Sequence, residues 1–159
     1  MKSHEYYMQI ALNEAKKASV LDEVPIGAVI IDEQGEVIAV AGNARESTND
    51  PSAHAEILVM REAGQKRDSW NLNGCSLYVT LEPCCMCAGA IVNARISKLV
   101  FGASDTRFGG VVTLYNIVTD PRLNHRAEII GGIMGEECKE TLSGFFKDKR
   151  QKATNKYTQ

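Results

Sequence analysis

No stretch of the sequence approaches the ~18 apolar residues that a membrane-spanning helix needs, which excludes a transmembrane segment. No secretory signal is visible either. Met1 to Lys17 is interrupted by Glu5, Gln9, Asn13 and Glu14, so no apolar signal core forms, and a cytoplasmic protein without membrane association is expected. Repeats, low-complexity tracts and linkers are absent, so residues 1–159 are expected to form one domain. Nor is there a large charge of either sign: 18 Lys and Arg face 20 Asp and Glu, a formal charge of −2 that marks no polyanion partner by itself. The five cysteines are an odd number and do not suggest a disulfide framework.

What is there is unevenly placed. Between Lys147 and Lys156 stand five cations and one anion, a net +4, which leaves −6 on the rest of the chain. Three of the five cysteines (Cys84, Cys85 and Cys87) fall within four residues, a crowding that points to metal or redox chemistry. The composition, 44% hydrophobic and 24% charged, is otherwise that of a globular domain. A domain of this size buries about 68–70% of the surface its unfolded chain exposes, enough for a core without staples.

The elements are read from apolar periodicity. From Tyr6 onward, Tyr7, Met8, Ala11, Leu12, Ala15 and Ala18 form one helical stripe, with Ser3 placed to cap it. Ile26–Ile31 and Val37–Ala41, joined through Asp32-Glu33-Gln34-Gly35, predict a hairpin. Gly42–Ser52 reads as a loop, and a helix is expected from near Ala53 to about Lys66. Ser76–Leu81 is a strand; Pro83 is expected to open a helix reaching about Arg95; Lys98–Ala103 is the next strand. A short helix near Thr113–Val118, a last strand at Ala127–Ile130 and a closing amphipathic helix at about 136–150 complete the order, with Ala153–Gln159 expected to fray. Strands alternating with helices predict an α/β protein: a three-layer α/β/α sandwich with a mixed central sheet of about five strands.

The chemistry gathers in two short motifs, His54-Ala55-Glu56 and Pro83-Cys84-Cys85-Met86-Cys87. Zinc favours thiolate and imidazole donors, and Cys84 and Cys87, three apart in a first helical turn, share a face. Cys85 lies about 100° round that helix and is not expected to be a ligand. His54, Cys84 and Cys87 then make a three-ligand site that leaves the fourth position to water, as catalytic zinc sites do. Glu56 is left to move protons. A Cys-x-x-Cys alone also suits a structural zinc half-site or a redox pair. A closed structural site would need Cys75, Cys138, His4 or His125 from distant segments, and a redox pair leaves His54-Ala55-Glu56 unused.

His-x-Glu followed by Pro-Cys-x-x-Cys is the known signature of zinc-dependent base deaminases. The chain resembles that cytidine deaminase superfamily and, more narrowly, the bacterial tRNA-specific adenosine deaminases. The resemblance runs nearly end to end, through Glu23-Val24-Pro25-Ile26-Gly27-Ala28, Asp50-Pro51-Ser52-Ala53-His54-Ala55-Glu56, Leu77 to Cys84, Met86-Cys87-Ala88-Gly89-Ala90, Val100-Phe101-Gly102-Ala103, Leu123-Asn124-His125-Arg126 and Leu142-Ser143-Gly144-Phe145-Phe146. It implies one Zn²⁺ per subunit, a homodimer, and conversion of adenosine to inosine at the wobble position of an arginine tRNA anticodon. It further implies that Asn43 contacts the flipped adenosine, that the Ala55 backbone helps bind the base, and that Asp105 lies in the loop flanking the substrate. Arg107, Lys147 and Arg150 are the candidate RNA contacts. After Asp105 the run Thr106-Arg107-Phe108-Gly109-Gly110-Val111-Val112-Thr113-Leu114 departs from the family's usual Lys-Gly-Gly or Lys-Thr-Gly loop. Two other functions compete: a free-base or nucleoside deaminase of guanine or cytosine type, and a zinc-stabilised RNA-binding module without catalysis.

Overall fold

The computed structural model describes residues 1–158. Its centre is one five-stranded sheet of order β2-β1-β3-β4-β5, built from β1 (Gly27–Ile31), β2 (Val37–Gly42), β3 (Ser76–Leu81), β4 (Lys98–Ala103) and β5 (Glu128–Gly131). β1 runs antiparallel to both β2 and β3, while β3, β4 and β5 are mutually parallel. The sheet is therefore mixed, with five strands, as the order of elements predicts.

Helices α1 (His4–Val20) and α5 (Gly135–Tyr157) pack on one face, and α3 (Ala55–Arg67) and α4 (Cys85–Ala94) on the other. The period-2 alternation of β1 divides its side chains between two cores. Ala28 and Ile30 join Val59, Ala63, Leu77, Val79, Ile91 and Leu99 beneath α3 and α4. Val29 and Ile31 join Tyr7, Met8, Leu12, Tyr78, Val100 and Cys138 beneath α1 and α5. Cys75 and Cys138 are buried and unpaired, packing as small apolar groups.

Helix α1 buries Tyr7, Met8, Ala11, Leu12, Ala15 and Ala18, the stripe visible in the sequence. Ser3 caps it by accepting the Tyr6 amide at 3.2 Å. Its backbone lies so close to β1 that a Cβ at Gly27 would sit 1.9 Å from the Ala11 carbonyl oxygen, so only glycine fits there.

Three expectations are corrected. The segment Gly42–Ser52 is not all loop: Arg45–Thr48 forms a one-turn helix, α2, whose Glu46 and Ser47 amides are taken by the buried Glu23 carboxylate. In place of a helix over 113–118 there is a single 3-10 turn, Ile117–Thr119. The amides of Val111, Val112 and Thr113 are bound to Glu82, and that of Leu114 to the Gly109 carbonyl, so they do not enter a helical ladder. Finally, α5 continues to Tyr157, because Gln151–Tyr157 contains neither glycine nor proline to stop it. Of the tail expected to fray, Gln159 lies outside the described residues. No helix among the described residues is long and apolar enough to cross a membrane.

Candidate active site

Two helix starts build the site, at the carboxyl ends of the parallel strands where open α/β sheets place their ligands. Helix α4 begins one residue beyond Cys84, not at Pro83, and α3 begins one residue beyond His54, not near Ala53. Both His54 and Cys84 thus occupy the extended position just before a helix, and neither side chain caps its own helix. This frees both to point outward from the helix ends toward one another. Cys87, in the first turn of α4, completes the cluster from below and is fully buried.

His54 Nδ1 lies 3.6 Å from the Cys84 sulfur and 3.4 Å from the Cys87 sulfur. All three ligand atoms fall within 4.8 Å of one another, the one such group among the described residues. Cys85 faces solvent instead. The Cys87 thiol donates to Glu56 Oε2 at 3.0 Å, which sets the carboxylate against the cluster.

The charges are tightly coupled. Contact with Cys87, with further help from His54, holds Cys84 down at about 4 despite its partial burial. The Cys84 sulfur and burial push Cys87 well above the ordinary thiol range. His54 is raised by its contact with Cys84. Burial raises Glu56, against the bond from Cys87. The Cys87 proton thus lies against a desolvated carboxylate. A dication bound by these atoms would displace that proton and make both sulfurs thiolates.

The residues expected to hold substrate surround this cluster unevenly. Ala55 is buried at the first position of α3, where helical geometry leaves its amide without a partner within the helix. Asn43, 8% exposed, follows β2, and the neighbouring Ala44 amide bonds the carbonyl of Ala53, the residue before His54. Its side chain accepts from the Arg45 amide at 3.2 Å and donates to the Val24 carbonyl at 3.3 Å, so it also shapes its own turn. Asp105 follows β4, but its carboxylate accepts the Arg107 and Phe108 amides, folding its own loop. Arg107, Lys147 and Arg150 are exposed and form no ion pair among the described residues.

Two buried carboxylates escaped the sequence reading. Glu23 accepts the Glu46 and Ser47 amides and fixes the segment after Asn43. Glu82 accepts five bonds from the loop after β4. For both, burial raises the carboxyl, yet the donated hydrogen bonds outweigh it and hold each below its ordinary value. A glutamate directly after the apolar strand Leu77–Leu81 and before Pro83 was the available signal. His4 and His125 serve the fold, bonding the Tyr78 hydroxyl at 2.9 Å and the Ile96 carbonyl at 2.6 Å.

Known proteins resemble this chain along most of its length. The MafB19-like deaminase family matches residues 2–150. The tRNA-specific adenosine deaminase of Bacillus subtilis (strain 168) is 50% identical over 152 residues, covering 96% of this chain and 94% of the relative. A solved structure from work on A-to-I editing by tRNA:A34 deaminases at the wobble position has a TM-score of 0.83 and 44% identity, over 86% of this chain and 99% of the other. Guanine deaminase from Nitrosomonas europaea shares the fold, with a TM-score of 0.80 at 23% identity over 91% of this chain and 85% of that one. Matched along nearly its whole length, the chain belongs to the MafB19-like deaminase family, and its sequence relatives there are tRNA-specific adenosine deaminases.

Proposed function

We propose that this protein hydrolyses adenosine to inosine at the wobble position of a tRNA anticodon, with zinc held by His54, Cys84 and Cys87. The observation that carries the reading is the convergence of these three ligand atoms beside the buried carboxylate of Glu56. The donor set fits zinc. Tetrahedral bonds of about 2.3 Å to sulfur and about 2.0–2.1 Å to nitrogen put those atoms roughly 3.6 Å apart. The sulfur–nitrogen separations here are 3.6 Å and 3.4 Å. Zinc held there supplies the Lewis acidity that makes water a nucleophile near neutral pH.

The chain's own residues do the rest. Glu56 takes a proton from the attacking water and passes protons to the purine ring nitrogen and the departing amine. Adenosine and water thus become inosine and ammonia. A carboxyl raised by burial suits this exchange, because a proton carrier works best with a pKa near the working pH. The Ala55 amide, Asn43 and the Asp105 loop bind the base. An unpaired anticodon base suits such a pocket, since splaying it out costs only a few kcal/mol. An anticodon stem-loop with a wobble adenosine should accumulate inosine and release ammonia in step.

The basic end of α5 supports an RNA substrate. Lys149 Nζ sits 3.5 Å from Asp22, just before the segment leading into β1 at the site's edge of the sheet, and lies over the Phe145 ring. Lys149 is thereby an anchor of the helix. Lys147, Arg150 and Lys156 are three of the four exposed cations left to meet phosphates, Lys152 being the fourth. Reversing the charge of these three should leave the fold and metal content unchanged and weaken stem-loop binding. The slope of log affinity against log salt should become shallower by about 2, at roughly 0.7 per lost single-strand phosphate contact. An unchanged slope removes α5 from the RNA site.

On the resemblance, the tRNA is an arginine tRNA, the protein is cytoplasmic, and it works as a homodimer. A groove between α3 and α4, lined by Ile57, Met60, Arg61, Trp70, Ala90 and Asn93, offers a surface for the second copy. Trp70 is 68% exposed there, with Arg95 stacked against it. Exposed tryptophans of this kind are favoured interface anchors. Trp70→Glu should shift the molecular mass measured by light scattering from two chains to one; a dimer that persists at micromolar concentration excludes this face.

A further inference from the structure

We propose that Glu82 is a positioning residue for the reaction, clamping the loop 105–113 onto the metal-ligand segment so that the loop grips the RNA. This rests on the deaminase reading above, in which that loop flanks the substrate. Glu82 is 1% exposed and stands between the last residue of β3 and Pro83-Cys84. One of its oxygens accepts from the Asp105 amide at 3.2 Å and from the Thr113 hydroxyl. The other accepts the amides of Val111, Val112 and Thr113 at 3.2, 2.9 and 3.0 Å. Five donors from one loop thus converge on one carboxylate, and no cation pairs with it among the described residues. A buried charge is tolerated only when it is satisfied in this way.

The loop backbone also rests directly on the ligand segment. The Gly110 amide donates to the Pro83 carbonyl at 2.8 Å, and Gly109 forms a bridge with Cys84. A Cβ at Gly109 would lie 2.4 Å from Glu82 Oε2, and one at Gly110 would lie 2.8 Å from the Cys84 carbonyl carbon. Any side chain at either position lifts the loop. From this platform Arg107 projects together with Phe108, Val112, Leu114 and Tyr115, which expose their apolar side chains to solvent. Those are the groups a splayed RNA strand would stack on and pair with. Glu82 itself turns away from the cluster and into the loop, so it acts through the loop and not on the reacting base.

The test is Glu82→Gln, which sets an amide nitrogen against backbone N–H donors whichever way it is oriented. The expected result is a KM for an anticodon stem-loop raised about tenfold or more, with kcat within about threefold, which is the pattern of lost binding without lost chemistry. Metal content should match wild type, and hydrogen exchange should accelerate only within residues 105–115. Thr113→Val removes one bond and should give the same pattern at smaller size, with no further loss when added to Glu82→Gln. Wild-type KM and loop exchange in either variant overturns the proposal. So does a KM defect matched by equal loss of metal and protection across β3 and β4. If Glu82→Gln fails to fold, Thr113→Val decides alone. Should wild type deaminate free purines and no RNA, the substrate reading fails by itself, while exchange in the loop still judges Glu82.

Discussion

Glu56→Ala should bind one zinc per chain, keep the wild-type fold and lose turnover by about 10²–10⁴-fold or more, the range for a general acid–base group with more where one residue serves several steps. The argument is positional. Glu56 is 4% exposed and touches the cluster through the Cys87 sulfur, yet it is not among the three converging ligand atoms. Its removal therefore costs proton transfer and leaves ligation intact. Loss of the carboxylate also relieves a desolvated charge, so the metal-free variant should be no less stable than metal-free wild type. Metal analysis and single-turnover rates on the same sample check both halves. Near-wild-type rates with zinc bound would remove Glu56 from the mechanism.

Cys87→Ser should lose both metal and activity, and chelation of wild type should do the same. Cys87 is fully buried, its sulfur facing His54 and Glu56, and a serine hydroxyl in its place is a far weaker zinc donor than a thiolate. Metal that binds only the folded chain stabilises it by about 4 kcal/mol at a free concentration 1,000 times Kd. For a domain of this size that corresponds to a fall in Tm of roughly 8–16 °C on removal, measured by calorimetry with and without chelator. Cys85→Ser is the control. Its side chain faces solvent, and metal content and Tm should stay at wild-type values. Loss of metal from the Cys85 variant, or its retention in Cys87→Ser, would show that the ligand register is wrong.

How legible these features were in the sequence depended on the range of the interactions behind them. The α1 stripe, the hairpin and the parallel strands follow from local apolar periodicity, and the structure places them within a residue or two of expectation. The grouping of His54, Cys84 and Cys87 was visible as motif spacing. Its geometry was not, because the helix starts lie one residue beyond His54 and Cys84, and that offset is what frees their side chains. Helix α2 and the run from Thr113 to Val118 were misread for a common reason. Their amides are claimed by Glu23 and Glu82 from more than twenty residues away in sequence, and no local pattern reports such bonds. The extent of α5 was underestimated because terminal residues were expected to fray, although its last turns contain good helix formers.

The central claim is that the exocyclic amine attacked belongs to an adenosine in a tRNA anticodon. The guanine deaminase neighbour shows that this fold also serves free purines, so the fold alone does not choose between them. Zinc-loaded protein should therefore be given total tRNA in one vessel and free guanine, cytosine and nucleosides in another, with ammonia measured in both and inosine mapped in the tRNA. The account predicts inosine at the first anticodon position of one tRNA and no ammonia from the free bases. Rapid ammonia release from guanine or cytosine, with no inosine in any tRNA, would contradict it.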